Sequence, residues 1–580
     1  MSQMKIKCDL LVVGAGAGGL STAITAKKNG LDVVVIEKAD VFGGSTAFSG
    51  GVLWIPGNSH GRKQNPGDSR AKARTYLQEE TGDAFDPVAC EAFLSKAPEM
   101  VEFFERETEV KFVPTLYPDY HPTVPGGVDV GRSILAKPFD IRGLGDNMKR
   151  LRPPLKTITF IGMMFNSSNA DLKHFFNATK SLESFWYVAR RLATHIKELC
   201  FYGKGINVTS GNALAARLAK SAFDLNIPVH TSAAAKELMM EGDRVVGMVA
   251  EIDGKMTNIE ASHGVVLACG GFAHDKARTA QVYLHLKRGG EHHSPVPESS
   301  TGDGLKMVEQ LGVDIQCDFS SPAAWMPVSR VPLGGEKYGV FPHLLDRYKP
   351  GVIGINPQGK RFCNESESYH DVGAAMVEYS RNQQEQTYMW LICDQTCMDK
   401  YGLGFAKPAP MPKASLIKNG YLIKAKTLEA LAAKLSVDAK TLISTVEEYN
   451  TGATQGVDQQ FQRGETAFNR FLADPENKPN PCVAPVTKGS FYAVKVFMGD
   501  LGTFDGIKTS VYGEVLQNDG QPVPGLYAVG NDRKSIMGGN YPAAGITLGP
   551  IMTFGYITGR RIAGIDDQLV SGEVCDEALS

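Results

Sequence analysis

The sequence is poor in the features that mark several classes of protein. Its 10 cysteines are scattered, and no two of them form a CxxC pair. The closest pair, Cys393 and Cys397, has no clustered histidines beside it. Zinc sites and secreted disulfide frameworks depend on such groupings. The sequence therefore predicts free thiols in a reducing compartment and no metal site.

Long apolar runs and a strong charge imbalance are also missing. No apolar run reaches the roughly 18 residues of a membrane-spanning helix. Lys5 and Lys7 precede an apolar stretch that starts at Leu10, but glycines interrupt it from Gly14 onward, which argues against a secretion signal. With 61 basic and 63 acidic residues the net charge is −2, so nothing indicates a nucleic-acid partner. We expect a cytoplasmic protein whose 580 residues form at least two domains.

The N-terminus carries a dinucleotide-binding pattern. An apolar run, residues 8–13, is followed by the GxGxxG loop of residues 14–19, a helix-like stretch, and a second apolar run that ends at Glu37. In such a loop the first glycine makes a tight turn, the second lets the backbone approach a pyrophosphate, and the third lets helix and strand pack closely. Glu37 is placed to accept hydrogen bonds from a ribose diol.

Three strand-then-glycine segments distinguish FAD from NAD. Besides the first, residues 264–272 and 524–531 each read as a buried strand that ends in glycines, and the small-residue loop 43–51 follows Glu37. This combination resembles the flavoproteins of the fumarate reductase and succinate dehydrogenase superfamily. The resemblance implies an α/β fold, a Rossmann-like FAD-binding domain with an inserted α+β substrate (cap) domain. It also implies an oxidoreductase.

The resemblance assigns a set of cofactor-binding residues. They are Gly14, Gly16, Gly18, Gly19, Glu37, Lys38, Gly44, Ser45, Thr46, Ser49, Gly50, Gly51, Gly270, Gly271, Gly530, Asn531, Gly545 and Ile546. Some members of the superfamily attach flavin covalently to a histidine in the loop that corresponds to 43–51. This loop has no histidine, so we expect non-covalent FAD.

The same logic divides the chain. Residues 1–320 and 490–580 are predicted to form the FAD-binding domain, and residues 321–489 the cap. Helical periodicity across 426–450 predicts a surface pair of helices within the cap.

The stretch 149–205 is rich in basic and large apolar residues and poor in acids. One interpretation is that this stretch makes peripheral contact with the anionic surface at the inner face of the membrane. The other, which we favour, is a helical excursion that covers the FAD-binding domain or forms a subunit contact.

Three polar segments are candidates for the flavin environment: 117–127, 361–370 and 537–550. In the last of these, Gly545 opens a helix-like run, so its amide is predicted to be a free donor. A phenol at Tyr541 and that amide could hold one carbonyl oxygen together.

The motifs PDYHP…PGG, AWMP, RFCNESESY and NYPAAGITLGPIMTFGY make the resemblance more specific, because together they are similar to the 3-ketosteroid Δ1-dehydrogenases. In that family, residues matching Tyr541 and the Gly545 amide hold the steroid C3 carbonyl. The match of Tyr369 removes the C2 proton, and the match of Tyr120 assists it, with Tyr117 one turn away as the alternative. Trp325 and Phe341 match apolar walls around the steroid.

The resemblance implies a reaction in which C1 releases hydride to flavin N5 and a C1–C2 double bond forms. Tyr369 acts as a phenolate, and we expect a hydrogen bond from Tyr120 and the local field to lower its pKa. A quinone or another acceptor then takes the electrons.

Three alternatives stay open. The first is a fumarate reductase-like enzyme, which would need histidines and arginines for a dicarboxylate near residues 530–545, where this sequence has no histidine. The second is a 3-ketosteroid 4-dehydrogenase, with its tyrosines arranged differently around ring A. The third is a flavin-fold protein retained as a binding module, which the intact fingerprint makes the weakest.

Overall fold

The first strand of the chain lies in the middle of a mixed sheet, which we call the first sheet. The structure is a computed structural model that describes residues 4–160, 162–164, 174–175, 181–381 and 386–565. The strands of the first sheet run in the order Glu514–Leu516, Pro522–Ala528, Lys255–Leu267, Met4–Val13, Val33–Ile36 and Val229–His230. The antiparallel strands Arg244–Ile252 and Ala233–Glu241 extend it from Lys255–Leu267.

The centre of the first sheet is parallel. Met4–Val13 pairs in parallel with Lys255–Leu267 on one side and with Val33–Ile36 on the other. Leu10, Leu11 and Val12 are fully buried. Both faces of such strands are covered, which explains their continuous apolar sequence. The predicted α/β fold is confirmed.

A second sheet contains six antiparallel strands. In order its strands are Lys337–Pro342, Ala323–Gly334, Phe491–Thr503, Tyr388–Asp394 and Val352–Ile355, with Ile423–Ala425 also paired to Phe491–Thr503. Two small sheets complete the strands: Val52–Trp54, Ser133–Ala136 and Phe112–Pro114 in one, and Phe139–Asp140 with Asn207–Val208 in the other.

The strand pairing of the second sheet places one domain boundary differently from the sequence-based expectation. Phe491–Thr503 lies in the middle of this sheet, between Ala323–Gly334 and Tyr388–Asp394. The return to the first sheet therefore comes after Thr503 and not at residue 490. The apolar composition of 491–498 fits a strand of either sheet, so the sequence could not show which sheet it joins.

Helices surround both sheets. The α-helices are Ala17–Lys28, Gly61–Gln64, Arg70–Thr81, Pro87–Glu107, Leu182–Tyr202, Ser210–Asp224, Lys276–Val282, Leu284–Lys287, Asp303–Gln310, Tyr369–Tyr379, Gln395–Lys400, Ala414–Lys418, Leu428–Leu435, Ala439–Ala453, Ala467–Phe471 and Leu548–Ile562. Short 3₁₀ segments are Gly44–Phe48, Gly82–Ala84, Ile141–Arg150, Lys156–Ile158, Asp346–Tyr348 and Gly530–Asp532. The helix pair predicted in 426–450 is confirmed by Leu428–Leu435 and Ala439–Ala453.

The C-terminal helix packs against the N-terminal one. A Cβ on Gly555 of helix Leu548–Ile562 would lie 2.2 Å from Ser21 Oγ and 3.0 Å from the carbonyl oxygen of Gly18 in helix Ala17–Lys28, so a glycine lets the two helices approach closely. The two ends of the sequence thus build one layer over the first sheet.

Two large apolar clusters fill the interior around the two sheets. The first core cluster includes Tyr120, Tyr369 and Tyr541, and the second includes Trp325. None of the described helices is both long enough and apolar enough to span a bilayer.

Candidate active site and cofactor site

The glycine loop after the first strand is built from close backbone approaches. Gly14 has a φ of 116°, and a Cβ there would lie 2.1 Å from the carbonyl oxygen of Ala268. A Cβ on Gly19 would lie 1.9 Å from the carbonyl oxygen of Gly14. Strand Met4–Val13 can therefore turn directly into helix Ala17–Lys28, as the fingerprint predicts.

Open space lies beside this loop. A Cβ on Gly16 would come no closer than 3.9 Å to another atom, Thr46 Oγ1, and a Cβ on Gly530 would meet nothing within 4 Å. The amide of Ala17 donates to Thr46 Oγ1 at 3.1 Å, and Gly18 packs against Gly530. A helix N-terminus favours an anionic phosphate, so these residues fit the pyrophosphate of FAD.

Glu37 and Lys38 are both engaged in the structure. The Glu37 carboxylate accepts hydrogen bonds from the amides of Ala15 at 3.0 Å and Ala39 at 2.9 Å. Burial raises the pKa of Glu37. The Lys38 ammonium donates to Asp303 at 2.8 Å, so this side chain ties two turns together. Ribose binding by Glu37 stays a prediction.

The sequence analysis missed two buried polar side chains: Arg152, whose charge acts on Glu37, and Asn212, whose Nδ2 donates to the Arg152 carbonyl oxygen at 2.7 Å. Arg152 Nε and Nη2 are buried and have no hydrogen-bond partner among the described residues, and the same holds for Asn212 Oδ1. The Arg152 guanidinium lies 5.7 Å from the Phe48 ring centroid, and its charge opposes the effect of burial on the Glu37 pKa. Unsatisfied buried donors, as on Arg152, and acceptors, as on Asn212, are costly, so both residues are candidate cofactor contacts. In the sequence, Arg152 was one of many basic residues in 149–205.

The second and third strand-glycine segments meet beside the first loop. Asp532 accepts hydrogen bonds from the amides of Cys269 at 2.6 Å and Gly271 at 2.9 Å, and burial raises its pKa. An acid directly after the third segment was the signal that could have identified it. The predicted positions brought together here are Gly270, Gly271, Gly530 and Asn531.

The loop 43–51 is ordered by its own hydroxyl groups. Ser49 Oγ donates to the carbonyl oxygen of Thr46 at 2.8 Å and accepts from the amide of Gly51 at 3.1 Å. Gly51 has a φ of 68°, and a Cβ there would lie 2.3 Å from the backbone of Ser210. Gly44 and Ser45 begin the 3₁₀ turn of this loop, and Gly50 follows Ser49.

The three predicted catalytic tyrosines converge from distant parts of the chain. The hydroxyl oxygens of Tyr120 and Tyr369 lie 3.2 Å apart. The Tyr541 ring centroid lies 5.0 Å from that of Tyr369 and 5.8 Å from that of Tyr120. All three side chains are buried. Tyr117 packs instead against Phe471, with centroids 4.6 Å apart, so Tyr120 is the phenol beside Tyr369.

Local structure fixes each phenol. Tyr369 is the first residue of helix Tyr369–Tyr379, which Ser368 caps by accepting the amide of Asp371 at 3.1 Å. The amide of Tyr120 donates to the carbonyl oxygen of Pro542 at 2.8 Å, so the Tyr120 segment is bound to the residue after Tyr541. The segments that carry Tyr120 and Tyr541 are therefore joined by a backbone hydrogen bond. Helix Tyr369–Tyr379 brings Tyr369 against these two tyrosines.

Burial dominates the electrostatics of this cluster. It raises the pKa of Tyr369 well above its ordinary value, and it raises that of Tyr541. The expected lowering of the Tyr369 pKa is therefore wrong for the protein alone, because desolvation raises this pKa and the contact with Tyr120 raises it further. The helix N-terminus at Tyr369 is a favourable contribution to the phenolate, of about 0.3–1 kcal/mol.

Gly545 lies before the C-terminal helix and does not open it. Its φ is 96°, whereas the helix begins at Leu548. Its carbonyl oxygen accepts hydrogen bonds from Trp54 at 3.0 Å and Gly549 at 2.9 Å. The Gly545 amide has no acceptor among the described residues. The predicted donor, the Gly545 amide, is therefore free among the described residues because Gly545 lies in a left-handed turn, and not because it starts a helix.

Trp325 and Phe341, predicted as substrate walls, lie on the other face of the second sheet. The Trp325 ring centroid is 5.0 Å from that of Tyr283, and Phe341 packs against the second core cluster. Side chains alternate along a strand, so the neighbours Ala324 and Met326 join the first core cluster with the tyrosines. The resemblance located the motif but not the face that each residue occupies.

The motif RFCNESESY takes part in a buried ion network that precedes helix Tyr369–Tyr379 in the chain. The Arg361 guanidinium binds Glu365 at 2.8 Å and Asp458 at 2.8 Å, and Arg463 binds Ser366 at 2.8 Å. These groups are almost fully buried. The sequence analysis gave them no role, and in the structure they support the loop that leads to helix Tyr369–Tyr379.

One group of residues has the spacing of metal ligands. His121, Glu367 and Asp371 offer ligand atoms within 4.8 Å of one another. Both ring nitrogens of His121 are hydrogen-bonded to carboxylates, so ion pairs account for this group. That the protein uses no metal stays a prediction.

The cofactor loops and the phenol cluster together define a flavoprotein. The FAD binding domain family matches residues 9–548, and the chain belongs to it. FAD is the cofactor, and the chain is an FAD-dependent oxidoreductase with the Rossmann-like domain and cap of this family.

Three known proteins are similar to this chain over nearly its whole length. The chain is 40% identical to 4-oxocyclohex-2-ene-1-carboxylate 5-dehydrogenase of Sinomonas cyclohexanicum, over 96% of this chain and 94% of that protein. It is 36% identical to 3-oxosteroid 1-dehydrogenase of Mycolicibacterium smegmatis, over 96% and 97%. A crystal structure of 3-ketosteroid Δ1-dehydrogenase from Sterolibacterium denitrificans with 1,4-androstadiene-3,17-dione superimposes with a TM-score of 0.87 at 33% identity, covering 97% of this chain and 100% of that chain.

Proposed function

We propose that the protein dehydrogenates 3-ketosteroids across C1 and C2, with Tyr369 as the base that removes the C2 proton. The observation that carries the proposal is the meeting of Tyr120, Tyr369 and Tyr541, with the first two hydroxyl oxygens 3.2 Å apart. A ketone held among these phenols needs no charged partner, and a dicarboxylate would find no cation in the tyrosine cluster itself.

The ketone oxygen is the group that needs stabilisation. Removal of the neighbouring proton moves negative charge onto that oxygen, and donors aimed at it contribute about 3–4 kcal/mol each. The Tyr541 hydroxyl and the free Gly545 amide are the two donors that we assign to it. The φ of 96° at Gly545 directs that amide out of helical geometry.

The proton and the hydride leave from adjacent carbons. The C2 proton passes to the Tyr369 phenolate, which the Tyr120 hydroxyl stabilises beforehand by donating a hydrogen bond to it. Bound FAD supplies the acceptor for the C1 hydride. The C1–C2 double bond forms as both bonds to hydrogen break, and a quinone or another acceptor then takes the electrons.

A monocyclic ketone is the second candidate substrate. It is favoured by the 40% identity to the enzyme of Sinomonas cyclohexanicum, which exceeds the 36% to the steroid enzyme of Mycolicibacterium smegmatis. Proton removal beside a ring ketone is common to both substrates, so the tyrosine cluster does not separate them.

Substrate assays test the proposal. Purified protein with an artificial electron acceptor is incubated with androst-4-ene-3,17-dione or with 4-oxocyclohex-2-ene-1-carboxylate, and products are separated by chromatography. We expect the 1,4-diene from the steroid. Turnover of 4-oxocyclohex-2-ene-1-carboxylate alone would show that the monocyclic ketone, and not the steroid, is the substrate. Reduction of fumarate by a reduced dye would instead support the fumarate reductase alternative.

The base is tested with Tyr369→Phe. This variant keeps the ring and removes the hydroxyl, so kcat should fall by about 10²–10⁴-fold while the flavin absorbance spectrum stays that of the parent. Tyr117→Phe is the matched control, since Tyr117 contacts Phe471 and lies outside the phenol pair. Substantial activity in Tyr369→Phe would assign the base to another residue.

The sequence alone favoured a covering helix, but the exposure of apolar side chains leads us also to propose that the helix Leu182–Tyr202 rests on an anionic membrane surface. Large apolar side chains project from it into solvent, with Leu182, Trp186 and Phe201 exposed by 80%, 69% and 73%. Arg190 and Lys197 are exposed on the same helix. Exposed apolar and basic groups on one helix suit the headgroup region of a bilayer. Residues 161, 165–173 and 176–180 of the stretch 149–205 lie outside the described residues.

A further inference from the structure

A charged cluster joins two of the segments that carry the phenols. The His121 ring lies between two carboxylates, with Nδ1 2.9 Å from Glu80 and Nε2 3.0 Å from Asp371. His121 directly follows Tyr120, and Asp371 lies in the first turn of the helix that Tyr369 begins. The ion pairs thus connect the two segments whose hydroxyls meet.

The cluster draws on separate parts of the fold. Glu80 belongs to helix Arg70–Thr81, and Tyr76 of the same helix accepts the His121 amide at 3.3 Å. The cap contributes Asp371 and, beside it, Glu367. His121 therefore has partners on both sides of the junction between the N-terminal part of the chain and the cap.

The charges in this cluster are fixed by their neighbours. Burial by itself lowers the pKa of His121, but Asp371 and Glu80 raise it to about 11. Asp371 keeps a lowered pKa although burial opposes it, because His121 donates to it. Burial raises the pKa of Glu367, and burial lowers that of His370 to about 4, so this last ring is neutral. Around neutral pH an imidazolium therefore lies between two carboxylates.

We propose that His121 is a positioning residue, whose ion pairs with Glu80 and Asp371 hold the Tyr120 segment against the Tyr369 helix. Its catalytic consequence rests on the proposed function, whereas the ion pairs themselves do not. Breaking a partly buried pair leaves a charge uncompensated, which makes such a junction sensitive to the loss of either partner.

The charge of the cluster also acts on the phenols nearby. Without the imidazolium, two negative carboxylates face the Tyr369 end of the cap helix and oppose formation of its phenolate. Without the Asp371 charge, one negative group fewer faces the Tyr369 phenolate, so the phenolate forms more readily. The variants His121→Gln and Asp371→Asn should therefore shift the pH profile in opposite directions.

The experiment compares these two variants with His60→Gln. His60 is the matched control because it also pairs with a carboxylate, Glu105, at 3.0 Å, and it has no contact with the tyrosines. Steady-state kinetics with androst-4-ene-3,17-dione and an artificial acceptor are measured across pH, and flavin content and thermal unfolding confirm that each variant is folded. If His121→Gln does not fold, Glu80→Gln replaces it. Both Glu80→Gln and Asp371→Asn remove a negative charge, so both should then lower the apparent pKa, and no lowering in either variant would overturn the positioning role.

We expect kcat to fall about tenfold or more in His121→Gln, with KM changed about twofold at most, and the apparent pKa of kcat/KM to rise by about one unit. In Asp371→Asn the apparent pKa should fall, and His60→Gln should match the parent. Equal losses of activity in both variants without opposite shifts would overturn the positioning role.

A second measurement does not depend on turnover. Histidine-labelled protein is titrated by NMR, and His121→Gln identifies the resonance of His121. The His121 ring should stay protonated beyond pH 9 in the parent and lose its proton at lower pH in Asp371→Asn. If the parent turns over no ketone but shows this titration, the proposed function fails and the ion pairs stand. An ordinary titration near pH 6.5 would overturn the ion pairs themselves.

Discussion

At the scale of single residues, burial decides what the candidate base can do. Desolvation raises the pKa of Tyr369 well above that of a free phenol, which is about 10. Only the phenolate accepts a proton, and its population rises about tenfold per pH unit below the pKa. We therefore expect kcat/KM to increase with pH throughout the neutral and mildly alkaline range.

Initial rates with a dye acceptor in buffers of equal ionic strength measure this dependence. The residual activity of Tyr369→Phe should lack the alkaline rise, which separates the base from any titration of the acceptor. A profile that is highest in mildly acidic buffer would contradict the assignment of a desolvated phenol as the base.

Gly545 gives a prediction about backbone geometry. In Gly545→Ala the new Cβ would lie 2.6 Å from the carbonyl oxygen of Val52, so the turn that offers the free amide must shift. Gly30→Ala is the matched control, because Gly30 has a φ of 98° but no atom within 4 Å of its Cβ. Both variants pay for a left-handed alanine, about 1–2 kcal/mol, and only Gly545→Ala adds the clash.

Urea unfolding and steady-state kinetics measure the difference between these variants. We expect Gly545→Ala to lose more stability than Gly30→Ala and to lose activity as well, since the carbonyl donor moves. Equal stability and equal activity in the two variants would show that the turn at Gly545 is neither tight nor part of the site.

At the scale of elements, the exposed helix Leu182–Tyr202 gives a prediction about membranes. Burying a large apolar side chain contributes about 1.5–3 kcal/mol, so Trp186→Ser with Phe201→Ser should weaken binding to anionic vesicles on the order of 100-fold. Activity on a dissolved substrate should persist, because the helix lies outside the tyrosine cluster.

Co-sedimentation with phosphatidylglycerol vesicles measures this binding, and phosphatidylcholine vesicles test the charge requirement. Met256→Ser, which removes an exposed apolar residue from the first sheet, is the control. Binding that survives the double variant unchanged would end the membrane proposal and favour an interpretation of the helix as a cover or a subunit contact.

Elements also show where the sequence was informative. The glycine fingerprint and the helix pair in 426–450 depend on local chemistry, since backbone turns and helical periodicity are encoded by neighbouring residues, and both could be predicted. The strand Phe491–Thr503 could not be placed, because strand pairing is a contact between distant segments. The packing of Trp325 could not be predicted for a related reason: its motif was visible, but the face that it occupies follows from the register of the second sheet.

At the scale of the whole molecule, the candidate site forms only when distant segments meet. The tyrosine cluster takes Tyr120 from the N-terminal part, Tyr369 from the cap and Tyr541 from the C-terminal return. The sequence named these residues through a resemblance, but Arg152, Asn212 and the ion pairs of His121 depend on tertiary contacts and left no local signal. The cofactor site likewise joins the N-terminal loop to Gly530.

Such a composite cofactor site predicts that FAD is bound by contacts alone and stabilises the whole fold. The loop 43–51 offers glycines, small side chains and hydroxyls but no histidine to form a bond with flavin. Acid precipitation should release yellow FAD into the supernatant, and flavin retained in the pellet would show a covalent link.

A ligand that binds only the native state stabilises it by about 2.7 kcal/mol at 100 times its Kd, so FAD added back to apoprotein should raise Tm. Gly14→Val should abolish this rise, because its side chain would occupy the backbone position of Ala268. The same experiment with Gly242→Val, where a Cβ meets nothing within 4 Å, separates loss of the cofactor from the strain of a left-handed valine. A rise in Tm that persists in Gly14→Val would mean that the glycine loop does not hold the cofactor.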